Sequence, residues 1–196
     1  MHKTQIIMFN RVNVLILFVL SLIITSCIKD VDFDQAKNFA ISPVVVSSFI
    51  FIEEPANRFV DNGIEITTIR DSIKNIEILS DQFVVDNLIK AEFLFETTNS
   101  VNRAFQVQVE FFNDAFELQE ISSFTVLQSP LNEEIISEST KTFEGNSLEA
   151  LKATSQIVIT LTLLPSSDGS ILNENSIGQL RLRSIATFYF DIDSSS

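Results

Sequence analysis

Cys27 is the only cysteine in the chain, and it follows Ile24-Thr25-Ser26. One thiol cannot close a disulfide within the molecule, so its chemistry is that of a free or derivatised sulfur. The only histidine is His2. With no histidine elsewhere, the body of the chain cannot assemble a Ser-His-Asp triad, a Cys-His dyad, or a His-ligated zinc or copper site. The four glycines are scattered and form no phosphate-cradling loop. What remains is 26 carboxylates. Two would serve a glycosidase, provided an apolar pocket kept one of them protonated. Glu53, Glu54, Asp191 and Asp193 are the candidates. Glu53 and Glu54 precede Pro55 and read as loop residues, and Asp191 and Asp193 sit at a strand end, where solvated acids are common. Asp30, Asp32 and Asp34 alternate like the start of a calcium loop, but Gln35 stands where the loop needs glycine and Ile41 where it needs a bidentate glutamate. No catalytic residue, metal site or cofactor is expected, and the chain reads as non-enzymatic. Aromatic platforms for sugars usually come from Trp and Tyr. This chain has no Trp, one Tyr (Tyr189) and 18 Phe, which read as core.

The thiol is placed by what precedes it. Lys3 and Arg11 make a positive start, and Val14 to Ile24 is an apolar run of 11 residues interrupted only by Ser21. A bilayer-spanning helix needs about 20 apolar residues. The run is therefore too short to stay in a membrane and fits a removable secretory leader. A start at Met8 would leave Phe9, Asn10 and Arg11 before the run, a more typical leader length.

Ile24-Thr25-Ser26-Cys27 resembles the bacterial lipobox: a branched apolar residue, two small residues, then the cysteine. The resemblance implies cleavage before Cys27, diacylglycerol on its sulfur and an acyl chain on the new amine. Each buried CH₂ contributes about 0.8 kcal/mol to such an anchor, so several acyl chains hold almost permanently. Lys29, Asp30, Asp32 and Asp34 directly after the cysteine are similar to the export signals of surface lipoproteins of Bacteroidetes-type bacteria. The low glycine content, many Phe and Ile, and Asn-rich turns are similar to small lipoproteins of that group. This implies a lipid-anchored location at the outer membrane, periplasmic or surface-facing. It concerns address and not activity.

Cleavage would leave 170 residues, with eleven basic side chains against 26 acidic ones. A body that acidic repels nucleic acid and anionic headgroups, so nucleic acid is excluded as a partner. A chain of this size buries roughly 70% of its unfolded surface and needs no disulfide.

From Pro43 onward the dominant period is two. Ile89, Ala91, Phe93 and Phe95 share one face, as do Phe105, Val107, Val109 and Phe111, and Ile157, Ile159, Leu161 and Leu163. Leu180, Leu182, Ala186, Phe188, Phe190 and Ile192 form a last, long row. Such rows mark antiparallel sheet with one face buried. Less regular strands are expected over 44–52, 64–69, 73–79 and 116–127. Asp61-Asn62-Gly63 and Ser167-Asp168-Gly169 read as turns, and Asn99-Ser100-Val101-Asn102 as a hairpin. One short helix is expected after an Asn146 cap, with Glu149 completing a capping box and Leu148 and Leu151 facing the core. The fold class is all-β, a single antiparallel β-sandwich, immunoglobulin-like in the broad sense, with one short connecting helix. The organisation is a leader over 1–26, a lipidated acidic tether over 27–42, the sandwich over 43–193 and a tail over 194–196.

Some apolar residues fall on outward rows: Leu94, Phe112, Ile185 and Tyr189. On neighbouring strands they would form a patch for a partner protein. The function expected is that of a lipid-anchored cell-envelope lipoprotein, a non-catalytic protein-binding or scaffolding module. The alternative is a binding module for an extracellular glycan or lipid, serving an uptake system.

Overall fold

Alternating rows of apolar and polar side chains bury one face against a second layer, and here that layer is another sheet, eight strands forming the two. The structure, a computed structural model, describes residues 40–193. The strands are β1 (Val44–Pro55), β2 (Thr68–Lys74), β3 (Leu88–Asn99), β4 (Phe105–Phe112), β5 (Leu118–Val126), β6 (Ile135–Phe143), β7 (Gln156–Leu163) and β8 (Gln179–Phe190). Two short helices join them, α1 (Gln82–Asn87) between β2 and β3 and α2 (Asn146–Lys152) between β6 and β7. One sheet has the order β1-β8-β3-β6 and the other β2-β7-β4-β5. All neighbours are antiparallel. The antiparallel sandwich expected is thus what forms. Its strand order, which period-two patterning leaves undetermined, is that of a jelly roll and differs from the seven-stranded immunoglobulin arrangement.

The core is a phenylalanine cluster between the sheets. Phe93 on β3 lies 5.1 Å from Phe49, 5.2 Å from Phe143, 5.9 Å from Phe111 and 6.0 Å from Phe188, centroid to centroid. Three of these four contacts are edge-on, with interplanar angles of 64° or more, as the ring quadrupole favours. The inward rows of β4, β7 and β8 are those expected, with Phe105, Val107, Val109 and Phe111 fully buried.

In place of the strands expected over 64–69 and 73–79 stand the short strand Ile64–Glu65, β2 and a 3-10 turn over Glu77–Ser80, and α1 is a helix beyond the one expected. Three more expectations change in detail. Ile89 does not begin the inward row of β3. It is the extra residue of a bulge, since Tyr189 pairs with Lys90 and Phe190 with Leu88, so Leu88 is buried and Ile89 is 55% exposed. The segment Asn99–Asn102 is no hairpin, because β3 and β4 belong to different sheets. The buried Asn99 organises this corner: its amide donates to the Arg103 and Leu127 carbonyls at 2.8 and 2.7 Å, and its oxygen accepts from Val101 N at 2.9 Å. Helix α2 is capped by Gly145 (φ 53°), not Asn146, which is its first residue. Leu148 and Leu151 are buried as expected. Asn62 and Gly63, both at positive φ, turn a small hairpin between Val60–Asp61 and Ile64–Glu65.

Candidate binding site

The outward-facing apolar residues separate into two groups. Leu94 and Ile185 are directly opposite on β3 and β8, and Tyr189 follows two positions on from Thr187 in the same row. They share the outer face of the sheet β1-β8-β3-β6, whereas Phe112 is on β4, in the other sheet. The four therefore make no single surface. Leu94 and Ile185 lie among ion pairs. Arg183 bonds Glu96 at 2.7 Å, and Lys90 bonds Glu92 at 2.8 Å while standing 5.1 Å above the Tyr189 ring. The Tyr189 hydroxyl donates to Glu92 at 2.8 Å. The Lys90 ammonium, then the Tyr189 hydroxyl, pull the Glu92 carboxyl below its ordinary range, and the carboxylate in turn raises the Tyr189 phenol. Tyr189 is thus committed to a cross-strand network. The lipobox residues Ile24, Thr25, Ser26 and Cys27 lie outside the described residues.

Phe112 does stand at a concave site. A cavity of about 450 Å³ lies at one end of the sheet β2-β7-β4-β5, where Lys74, Gln156 and Phe112 are consecutive partners across three strands. Val158 and Ser72 form the next row of its floor, and Phe116 from the β4–β5 loop stands at its margin. Phe116 was expected to begin a strand. Instead it sits in the loop at φ 59°, 69% exposed. A bulky L-residue rarely adopts that backbone, because its Cβ crowds the following carbonyl.

Asn113 holds the loop in this shape. Its oxygen accepts from Ala115 N and Glu117 N at 3.0 and 2.9 Å, and its amide donates to the Glu117 carboxylate at 2.8 Å. The backbone closes the same loop, with Phe116 N donating to Asn113 O at 3.0 Å and Asn113 N to Glu117 O at 3.1 Å. The backbone that carries this exposed ring is thereby held in one conformation, so binding has less of it left to order. Sequence reading finds Phe112 but not Phe116, because a strained loop residue has the same letters as a strand residue.

The carboxylates are dispersed. Glu53 and Glu54 are in β1, not in a loop, and their alternation sends them to opposite sides. Glu54 is half-buried, and burial raises its carboxyl above the ordinary range against the lowering effect of Arg58; Asp71 adds to the rise. Asp191 is exposed just beyond β8. Among the described residues no group of three or more His, Cys, Asp or Glu could hold a metal ion, and no helix is long and apolar enough to cross a membrane.

No protein-family model and no curated protein sequence matches the chain. Among solved structures, a Parabacteroides distasonis protein described as secreted is similar over 62% of this chain and 37% of its own, at 14% identity and a TM-score of 0.47. The VP2 subviral particle of infectious bursal disease virus is similar over 79% of this chain and 34% of its own, at 8% identity and a TM-score of 0.40. A tailspike domain of bacteriophage CBA120 overlaps 79% of this chain and 20% of its own, at 8% identity and a TM-score of 0.36. This chain spans well under half of each. The fold assignment rests on the strand order itself.

Proposed function

We propose that this chain is a non-catalytic binding module of the bacterial cell envelope, anchored to the outer membrane through acyl chains on Cys27, and that it engages a partner protein at the Phe112–Phe116 site. The observation that carries the binding role is Phe116, exposed in a strained conformation that five hydrogen bonds around Asn113 maintain. Strain of this kind costs of order 1–3 kcal/mol and persists mainly where function uses it. The anchor is supported by the order of features before Cys27: positive start, short apolar run, small pair, thiol.

Two measurements test the halves separately. Mass spectrometry of the N-terminal peptide should find acyl mass on Cys27, and Cys27→Ser should release the protein from the membrane fraction. A Cys27→Ser chain still membrane-bound removes the anchor. A photo-crosslinker at position 116 should join one stoichiometric envelope protein, and the adduct should vanish when Phe112 is replaced by Ser. An adduct insensitive to that change removes the site.

A second reading, a glycan-binding module serving uptake, is favoured by the rest of the same face. Gln106 bonds Ser123 and Thr125 there at 2.8 and 3.1 Å, beside Thr160 and Thr162. Such amide and hydroxyl rows suit sugar hydroxyls. Failure of the crosslink together with retention on immobilised polysaccharide would favour it.

A further inference from the structure

We infer that the Phe112–Phe116 cavity receives an extended acidic segment of the partner protein, laid along the edge of β2, with one apolar side chain inserted between the two rings. This rests on the protein-binding reading above and names what the partner must present.

The first observation is a charge left over. Nine Lys and Arg side chains lie in residues 40–193, and eight of them have a carboxylate within 4.0 Å. Lys74 is the one cation without such a partner among the described residues, although acids outnumber bases two to one in the sequence. It lines the cavity. Arg70, the next cation along the same edge, is 3.5 Å from Glu110 with its side chain 61% exposed, so its remaining donors are available.

The second is Gln156. It is only 9% exposed as a residue and lines the cavity between Lys74 and Phe112, where its amide atoms stay open to the cavity. A peptide group, with one donor and one acceptor, matches the donor and acceptor of that amide.

The third is the edge. β2 pairs with β7 alone among the described residues, so its other side presents N–H and C=O groups beside the cavity, apart from Ser72 N, which donates to the Asp71 carboxylate. An extended peptide matches that pattern, and side chains on every second residue reach the pocket. A sugar chain does not match it, and neither ring in the site carries a polar handle for sugar hydroxyls. A second copy paired antiparallel about Ser72, the middle of the exposed row, would set Arg70 opposite Lys74, and like charges directly opposed are unfavourable. An acidic strand reverses that sign. Asp71, the acid in the lining, shares the row of Ile69 and Ile73 that faces the other sheet, and its oxygen already accepts from Ser72 N at 2.7 Å.

The test uses the full chain in detergent and a fluorescein-labelled octapeptide of alternating Glu and Val with one Val replaced by Phe. Anisotropy should show saturable binding that weakens as salt rises. The same peptide with Lys for Glu should bind about tenfold more weakly or not at all, and Lys74→Glu should weaken the acidic peptide by about tenfold. Phe116→Ala should weaken it likewise, and hydrogen exchange should show new protection along 68–74. Equal binding of the acidic and basic peptides, or an undiminished Lys74→Glu, overturns the inference. So does binding of oligogalacturonate with no binding of either peptide. If Lys74→Glu still crosslinks its cellular partner through position 116, the acidic segment is refuted while the protein-binding site stands. If the crosslink is absent in the parent chain, it is the underlying reading that fails.

Discussion

Arg103 holds three separate stretches of chain together, and removing it should show how much of the sandwich depends on one charge pair. Its guanidinium donates to both oxygens of Glu65 at 2.9 and 3.0 Å, to the Leu164 carbonyl at 3.1 Å and to the Ser170 carbonyl at 2.9 Å. Glu65 also accepts from Leu172 N at 2.6 Å. The two side chains are 5% and 16% exposed. Arg103→Met keeps most of the stem volume and leaves the Glu65 charge with one backbone donor. Breaking a buried pair from one side costs about 3–5 kcal/mol, most of it the penalty of the stranded charge. For a domain of this size 1 kcal/mol moves the melting temperature by roughly 2–4 °C, so Tm should fall by about 10 °C. Glu65→Met in the Arg103→Met background should recover about 2 kcal/mol or more, because it removes the stranded charge. The assay is urea denaturation of the four proteins of the cycle at neutral pH, with thermal melts in parallel. An Arg103→Met chain within about 1 kcal/mol of the parent, or a cycle whose two changes simply add, would show that water reaches Glu65 and that the pair is an ordinary surface contact.

Phe116→Gly should leave stability unchanged or raise it by up to about 1 kcal/mol, because glycine accepts φ 59° without strain, while partner affinity falls; loss of stability in denaturant would mean the ring is structural. Asn113→Ala should lower stability by roughly 1–2 kcal/mol in the same assay. Gly178→Ala should cost roughly 3 kcal/mol or more, since the new Cβ would lie 2.3 Å from the Ser100 carbonyl oxygen at a backbone φ of 100°; a near-parental melting curve would sink that estimate. Glu54 gives a pH signature. Burial raises its carboxyl in the folded state, so the folded chain binds that proton more tightly than the unfolded one, and Glu54 detracts from stability above its folded pKa. Glu54→Gln should therefore be the more stable chain at neutral pH, with the difference fading below about pH 4, where both states are protonated. A difference that grows in acid would reverse the sign of the argument.

The strands legible in the sequence are those whose inward row is apolar throughout, such as Phe105 to Phe111 on β4 and Ile157 to Leu163 on β7. β6 escapes notice because its less exposed row runs Ile135, Ser137, Ser139, Lys141, so burial there leaves no hydrophobic period to read. The bulge at Ile89 is equally silent, since Leu88, Ile89 and Ala91 are all apolar and only the partner strand decides which turn inward. The site was half visible. Phe112 shows as an apolar residue on a polar row, but its neighbours Lys74 and Gln156 come from strands far apart in sequence, and nothing local marks them as a pair. Phe116 is set by side-chain bonds of Asn113, a loop detail below the resolution of periodicity.

The first and last strands of the sandwich are neighbours: Val44 at the start of β1 lies opposite Tyr189 near the end of β8, and β8 also fills the gap between β1 and β3. During synthesis β1 consequently waits for almost the whole chain before it finds a neighbour. Until residues 179–190 emerge from the ribosome, one of the two layers has a missing middle and cannot shut. Pairings that distant in sequence form slowly. A polypeptide built this way keeps one of its layers open until that late strand has been made.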